Sequence, residues 1–248
     1  MERFIVAPEE LDGNEAQING DELRHLRTVL RLKTGDVVEV FDGAGRGYAG
    51  TLTDIDASRA LVALKEPIVE RRDSPLKIVL GQGIPKSDKM EWIAQKATEL
   101  GVDSIIPLSL ERCVARIDGD SKIKSRQARW RKVAIEAAKQ CGRLMVPEVM
   151  APIRLSDFIK KIEPSDLLLV PWEEGGKPLG EALRDTQGAR VGAIFVLIGP
   201  EGGITRGEIQ LCREAGGKVV TLGPRTLRTE TAGLALLSAL QFYWGDMG

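Results

Sequence analysis

A chain of 248 residues, 43% hydrophobic and 29% charged, is long enough for one large domain or two small ones around a real core. Its 35 basic and 36 acidic side chains nearly cancel, which excludes a globally basic nucleic-acid binder but not a local basic patch. The cysteines, Cys113, Cys141 and Cys212, are odd in number and far apart, and imply neither a disulfide framework nor a zinc site; with no membrane-length apolar run and no signal peptide, a cytoplasmic protein with buried free thiols and no metal is expected.

Residues 3–6 read as a short strand, and residues 21–30 as a helix with Leu23, Leu26, Val29 and Leu30 on one face. Strand-like runs follow at 37–41, 48–55 and 60–64, separated by Gly43, Gly45, Gly47 and the polar segment 54–58. Short strands with close turns predict a small β-barrel over residues 1–72. Residues 70–75, polar and ending in Pro75, make a plausible linker to a second domain over 73–248.

From residue 76 the chain alternates. Strands are expected at 76–80, 104–108, 167–170, 193–198 and 218–222, with helices between them, so the second domain is α/β with a mainly parallel sheet covered on both faces. The helix at 88–100 aligns Ile93, Ala97 and Leu100, with Asp88 and Glu91 as a capping box and Gly101 as a stop. A long helix at 122–143 carries Lys122, Lys124, Arg126, Arg129, Arg131, Lys132, Lys139 and Arg143 beside an apolar stripe of Trp130, Val133, Ala134 and Ala137. That basic face is either simply solvated or a phosphate-binding track, which Arg112 and Arg116 would extend. A last helix, from about Thr231, is apolar on most faces and must be buried against the sheet or a second subunit.

Two glycine-bearing turns carry the strongest chemical signal. One is Leu197-Ile198-Gly199-Pro200-Glu201-Gly202-Gly203; the other is Leu222-Gly223-Pro224-Arg225-Thr226-Leu227-Arg228-Thr229-Glu230-Thr231-Ala232. Each follows an apolar strand and empties into a helix, where glycine lets the backbone turn sharply and approach a ligand. Neither fits a nucleotide-phosphate loop: the first lacks the G-x-G-x-x-G spacing, contains a proline and carries Glu201. The stretch Gly81-Gln82-Gly83-Ile84-Pro85-Lys86-Ser87 only superficially resembles a P-loop, because proline precedes its lysine. The two turns, expected on neighbouring strands, suit a ligand held by backbone hydrogen bonds. Their charged side chains either touch that ligand or pair as Arg228 with Glu230, or Arg225 with Glu201.

The pair IGPEGG and LGPRTLRTETA resembles the cofactor signature of the SPOUT methyltransferases, and more narrowly of the RsmE family, which methylates N3 of a uridine in 16S ribosomal RNA. Residues 25–31, 85–92 and 129–143 agree with the resemblance, which runs the length of the chain; Thr226 stands where an aliphatic residue is expected. The resemblance implies a PUA-like RNA-binding domain at the N-terminus, a C-terminal trefoil knot, S-adenosylmethionine as cofactor, a homodimer whose interface borders the cofactor site, and 16S RNA of the 30S subunit as partner. On that basis the backbone around Leu197, Ile198, Gly199, Pro200, Glu201, Gly202, Gly203, Leu222, Gly223 and Leu227, with Thr229, Thr231 and Ala232, is expected to hold the cofactor. Arg228 or Arg225 would stabilise a uracil anion or position a phosphate, and Glu201 or Glu230 would accept the proton or organise the arginines. Arg24, His25, Arg27, Arg31, Arg112, Arg126 and Arg129 would meet RNA. His25 reads as an RNA-facing or capping residue more readily than as a base, since its arginine neighbours disfavour the imidazolium without supplying a reaction site. A 2′-O-ribose methyltransferase and a non-catalytic ribosome-assembly factor are the competing readings.

Overall fold

The computed structural model describes residues 1–69, 72–114, 119–186 and 191–248. The chain divides into two compact units, Met1–Asp73 with Ile135–Val146, and Ser74–Ala134 with Pro147–Gly248. Glu70 and Arg71 of the expected linker and Arg116 of the expected basic track lie outside the described residues. The linker's Asp73 is anchored, accepting from Arg143 Nε at 2.9 Å and from the amides of Leu144 and Met145.

In the first unit, β1 (Glu2–Ile5), β2 (Leu11–Asp12), β3 (Glu15–Ile18), β4 (Val37–Phe41), β5 (Gly47–Ile55) and β6 (Ala60–Pro67) form one sheet in the order β1-β4-β5-β6-β3-β2. Register shifts between β5 and β6, at Ala49/Gly50 and Leu52/Asp54, bend the ribbon and curl the sheet around Phe4, Ile18, Leu26 and Leu52. The short pair β2–β3 is an addition to the expected strands. The expected helix at 21–30 is two pieces: α1 (Gly20–Arg24) and a π-helical segment (His25–Leu30). The wider i→i+5 turn rotates later residues away from α-helical phase. Val29, expected on the inner face, is therefore 64% exposed, whereas Leu23 and Leu26 are buried.

The second unit contains β7 (Ile78–Gly83), α2 (Lys89–Glu99), β8 (Ser104–Ser109), α3 (Asp120–Cys141), β9 (Glu148–Val149), β10 (Ile153–Arg154), α4 (Leu155–Ile159), β11 (Leu167–Pro171), β12 (Lys177–Pro178), α5 (Leu179–Arg184), β13 (Ile194–Ile198), α6 (Arg206–Glu214), β14 (Lys218–Thr221) and α7 (Thr229–Trp244), the last residues of α3 belonging to the first unit. The sheet order is β10-β8-β7-β13-β11-β14-β12, with β9 beside β8, and every described pairing in it is parallel. Alternate side chains bury on opposite faces. Ile194, Val196 and Ile198 of β13 pack with α2, α3, α5 and α7, while Phe195 and Leu197 pack with α4 and α6. Burial on both faces is why these strands read as unbroken apolar runs.

Glycines in β7 serve this packing. A Cβ on Gly81 would fall 2.6 Å from the Phe158 ring, and one on Gly83 would fall 2.7 Å from Pro200. The P-loop-like stretch is therefore a strand thinned to admit its neighbours. The stop at Gly101 has φ +78, but the expected capping box at Asp88 is not formed. The Asp88 side chain lies 3.8 Å from Arg129, and Glu91 is 2.7 Å from the same guanidinium. The box occurs instead at Thr205 and Glu208, opening α6.

Candidate active site

Parallel sheets leave ligand crevices beyond their strand C-termini, and here three adjacent strands, β13, β11 and β14, end at one cleft of about 390 Å³. The two glycine turns are not on neighbouring strands, as expected, because β11 lies between them. The cleft is lined by residues 198–201 and Gly203 after β13, 221–228 after β14, 171–173 after β11, Thr229 and Ala232 at the start of α7, and Lys89 from α2. It thus brings together Ile198, Gly199, Pro200, Glu201, Gly203, Leu222, Gly223, Arg225, Leu227, Arg228, Thr229 and Ala232. Leu197, Gly202 and Thr231 are not in its wall. Leu197 faces inward and is fully buried, Gly202 gives its carbonyl to Arg112 Nη1 at 3.0 Å, and Thr231 points to solvent.

Buried hydrogen bonds hold the turns. Thr229 Oγ1 donates to the Gly199 carbonyl at 2.5 Å and accepts from Gln82 Nε2 at 2.9 Å; Gln82 is fully buried on β7. The start of α7 is thereby tied to the first turn through the strand beside it. Trp172 Nε1 donates to the Ile204 carbonyl at 3.2 Å, fixing the far side of the same turn. Gly203 (φ +74) and Gly223 (φ +110) adopt backbone conformations that favour glycine. A Cβ on Gly199 would strike Ile204 at 2.8 Å, whereas one on Gly223 would meet no atom within 4 Å.

The expected ion pairs do not form. Glu201 and Glu230 both bind Lys89, whose Nζ lies 3.1 Å from one and 3.2 Å from the other. Burial alone would raise the Glu201 carboxyl. Hydrogen bonds from its own amide, from Lys89 and from the Lys86 amide outweigh that effect and hold it below the usual range. The same bonds, Glu201 first and then Glu230, raise the Lys89 ammonium. Arg225 and Arg228 are exposed in the cleft, and among the described residues neither has an ion pair. The Glu201 carboxylate is thus engaged by Lys89 and the Lys86 amide. The thiols are not part of the site: burial pushes Cys113 up and Cys212 up to about 11, and Cys141 is half-buried.

The expected RNA-binding residues separate into two groups. Arg24, Arg27 and Arg31 are exposed on the α1–π segment, and Arg126 is exposed on α3; none of the four has an ion pair among the described residues. His25 is half-buried and lines a polar cavity with Arg3, Glu39 and Lys139 of the same unit. Arg129 is engaged by Glu91, and Arg112 holds the Gly202 carbonyl. Lys139 is paired with Glu22 at 3.1 Å and Arg143 is 4% exposed, which removes both from the expected basic track.

Sequence reading passed over Lys89, Gln82, Trp172 and Glu173. For the last two a signal existed: residues 172–176, Trp-Glu-Glu-Gly-Gly, follow a strand with a glycine-bearing turn, like the two turns singled out. The partnership of Lys89 had no such signal.

A family model described as an RNA methyltransferase domain matches residues 72–241, and one described as an RNA methyltransferase PUA domain matches residues 18–65. The chain is 34% identical to ribosomal RNA small subunit methyltransferase E of Bacillus subtilis, over 98% of this chain and 96% of that protein. It is 33% identical to the Aquifex aeolicus protein of the same name, over 95% and 98%. Among solved structures, ribosomal RNA small subunit methyltransferase E from Neisseria gonorrhoeae, bound to S-adenosyl methionine, superposes with a TM-score of 0.90 at 37% identity over the whole of both chains.

Proposed function

Since this chain belongs to the ribosomal RNA small subunit methyltransferase E family, we propose that it binds S-adenosylmethionine in the cleft at β13, β11 and β14 and methylates N3 of a uridine in 16S RNA. The observation that carries this reading is the convergence of both glycine turns and the α7 N-terminus on one cleft of about 390 Å³, within the size range of small-molecule sites. Three features of the cleft fit the cofactor. The walls expose backbone and apolar groups suited to an adenosine, Gly223 leaves open space where a side chain would stand, and the first turn of α7 suits a carboxylate.

When bound, S-adenosylmethionine supplies an electrophilic methyl group. The chain's residues do the rest. Residues 198–203 and 222–227 hold and orient the cofactor, a positioning effect that supplies much of the barrier reduction in a two-substrate transfer. Arg225 and Arg228, unpaired by carboxylates among the described residues, stabilise the negative charge that develops on uracil as N3 loses its proton. Lys89 binds Glu201 and Glu230 and holds both away from those arginines. Arg24, Arg27, Arg31 and Arg126 bind phosphates. A 30S particle is the proposed substrate and a homodimer the proposed assembly. Ala235, Ala239 and Phe242 lie on one stripe of α7, and a groove of Leu179, Leu222, Pro224, Ala235 and Ala239 adjoins the cleft-lining turn. Sedimentation at micromolar concentration should show the dimer. Titration calorimetry with S-adenosylmethionine, followed by radiolabelled methyl transfer to 30S particles lacking the modification, tests the reading; a folded protein that binds no cofactor contradicts it.

A further inference from the structure

In the cleft, Glu173 is the one lining carboxylate that no described residue neutralises. Glu201 is bound by Lys89 and the Lys86 amide, and neighbouring Glu230 is bound by Lys89. Glu173 follows β11, the strand between the two glycine turns, and among the described residues it has no hydrogen bond or ion pair. Its carboxylate lies against the first turn: a Cβ on Gly203 would clash with Glu173 Oε1, and Gly203 has φ +74. Arg112 Nη1 lies 3.7 Å from that same Cβ position, yet it donates to the Gly202 carbonyl and makes no ion pair with Glu173. Trp172, next to Glu173, is fixed by its bond to the Ile204 carbonyl, so the carboxylate is mounted on an anchored segment.

We infer that Glu173 recognises the ribose of the bound cofactor, its carboxylate accepting hydrogen bonds from the vicinal 2′- and 3′-hydroxyls. This rests on the cofactor reading above. An ionised carboxylate is an acceptor with two oxygens, and a vicinal diol offers two donors at matching separation. A carboxylate at the end of a parallel strand, beside a glycine turn, is the device by which other open α/β sheets hold a ribose. The bare Gly203 gives the carboxylate room to lie against the turn that holds the rest of the ligand.

The experiment is titration calorimetry of the full chain, wild type and Glu173→Ala, with 5′-methylthioadenosine and its 2′,3′-dideoxy counterpart. S-adenosylhomocysteine serves as the reference ligand, and a thermal melt checks that the variant is folded. Removing a hydrogen-bonded charged acceptor costs on the order of tenfold to a hundredfold in affinity. Wild type should prefer the ribose ligand over the dideoxy ligand by about that factor. Glu173→Ala should lose affinity for the ribose ligand by the same factor and scarcely distinguish the two. If Glu173→Ala weakens both ligands equally, or neither, the inference is overturned while the cofactor site stands. If wild type binds no S-adenosylhomocysteine, the cofactor reading falls and takes the inference with it.

Discussion

Lys89 Nζ lies within 3.2 Å of both Glu201 and Glu230, so replacing it with methionine leaves two carboxylates around one apolar group. Lys89→Met should shift the Glu201 titration upward in a carboxyl NMR experiment, and Lys89→Arg should restore most of the shift. The wild-type Glu201 carboxyl lies below its ordinary value of 4.5, so its stabilising contribution is present above that pH and is lost as the pH falls through the lower folded value. Glu201→Gln should therefore lower stability at neutral pH and converge with wild type as the pH falls through the folded value, which flattens the acid limb of the stability curve in pH-dependent urea denaturation. Glycine positions separate two effects. Gly223→Ala should cost about 1–3 kcal/mol in chemical denaturation, because φ +110 strains any L side chain. Gly199→Ala must push Ile204 aside and should loosen the Thr229 bond as well. The glycines and arginines of the site were legible because each turn announces itself after an apolar strand. Lys89 and Gln82 were not, since their partners lie more than a hundred residues away and are set by strand order.

At the scale of elements, α7 shows how far an apolar pattern carries. The expectation of burial holds for Leu236, Leu237 and Leu240, each fully buried, and Gln241 ties the helix to α2 by donating to the Leu100 carbonyl at 2.9 Å. Leu237→Ala should lower unfolding free energy by about 2–5 kcal/mol, read by urea denaturation. Phe242 is 68% exposed, so Phe242→Ser should leave that value nearly unchanged while weakening the dimer in sedimentation if α7 covers a second copy. A helix with apolar residues on every side does not reveal which side meets its own sheet. The π segment was hidden for a related reason: leucines at 23, 26 and 30 satisfy an α-helical period, and only the widened turn turns Val29 outward. In the second unit β8, β11, β13 and β14 were legible to within a residue, since strands buried on both faces leave unbroken apolar runs, whereas β7, expected at 76–80, runs over Ile78–Gly83, and the two-residue β9, β10 and β12 carry too little pattern to read.

For the molecule as a whole, a net charge of −1 means that RNA attraction must come from local clusters. Replacing Arg24, Arg27 and Arg31 by alanine should reduce the slope of log affinity against log salt by about one unit for each phosphate left without its arginine. Arg129→Ala should change it less, because Glu91 already engages that guanidinium at 2.7 Å. Composition carries no hint of this division; it emerges only once α2 and α3 are placed side by side. The interposed strand β11, with Trp172 and Glu173 at its end, was equally invisible, because sheet order is decided by crossovers and not by the composition of any one strand. We propose that this cleft directs a methyl group to a uracil nitrogen. The most direct test is mass-spectrometric nucleoside analysis of 16S RNA after incubation of unmodified 30S particles with the purified protein and isotopically labelled S-adenosylmethionine. One labelled N3-methyluridine per 16S molecule is the expected result, abolished by Arg228→Ala; label recovered as a 2′-O-methylated nucleoside, or no label at all, would contradict the claim.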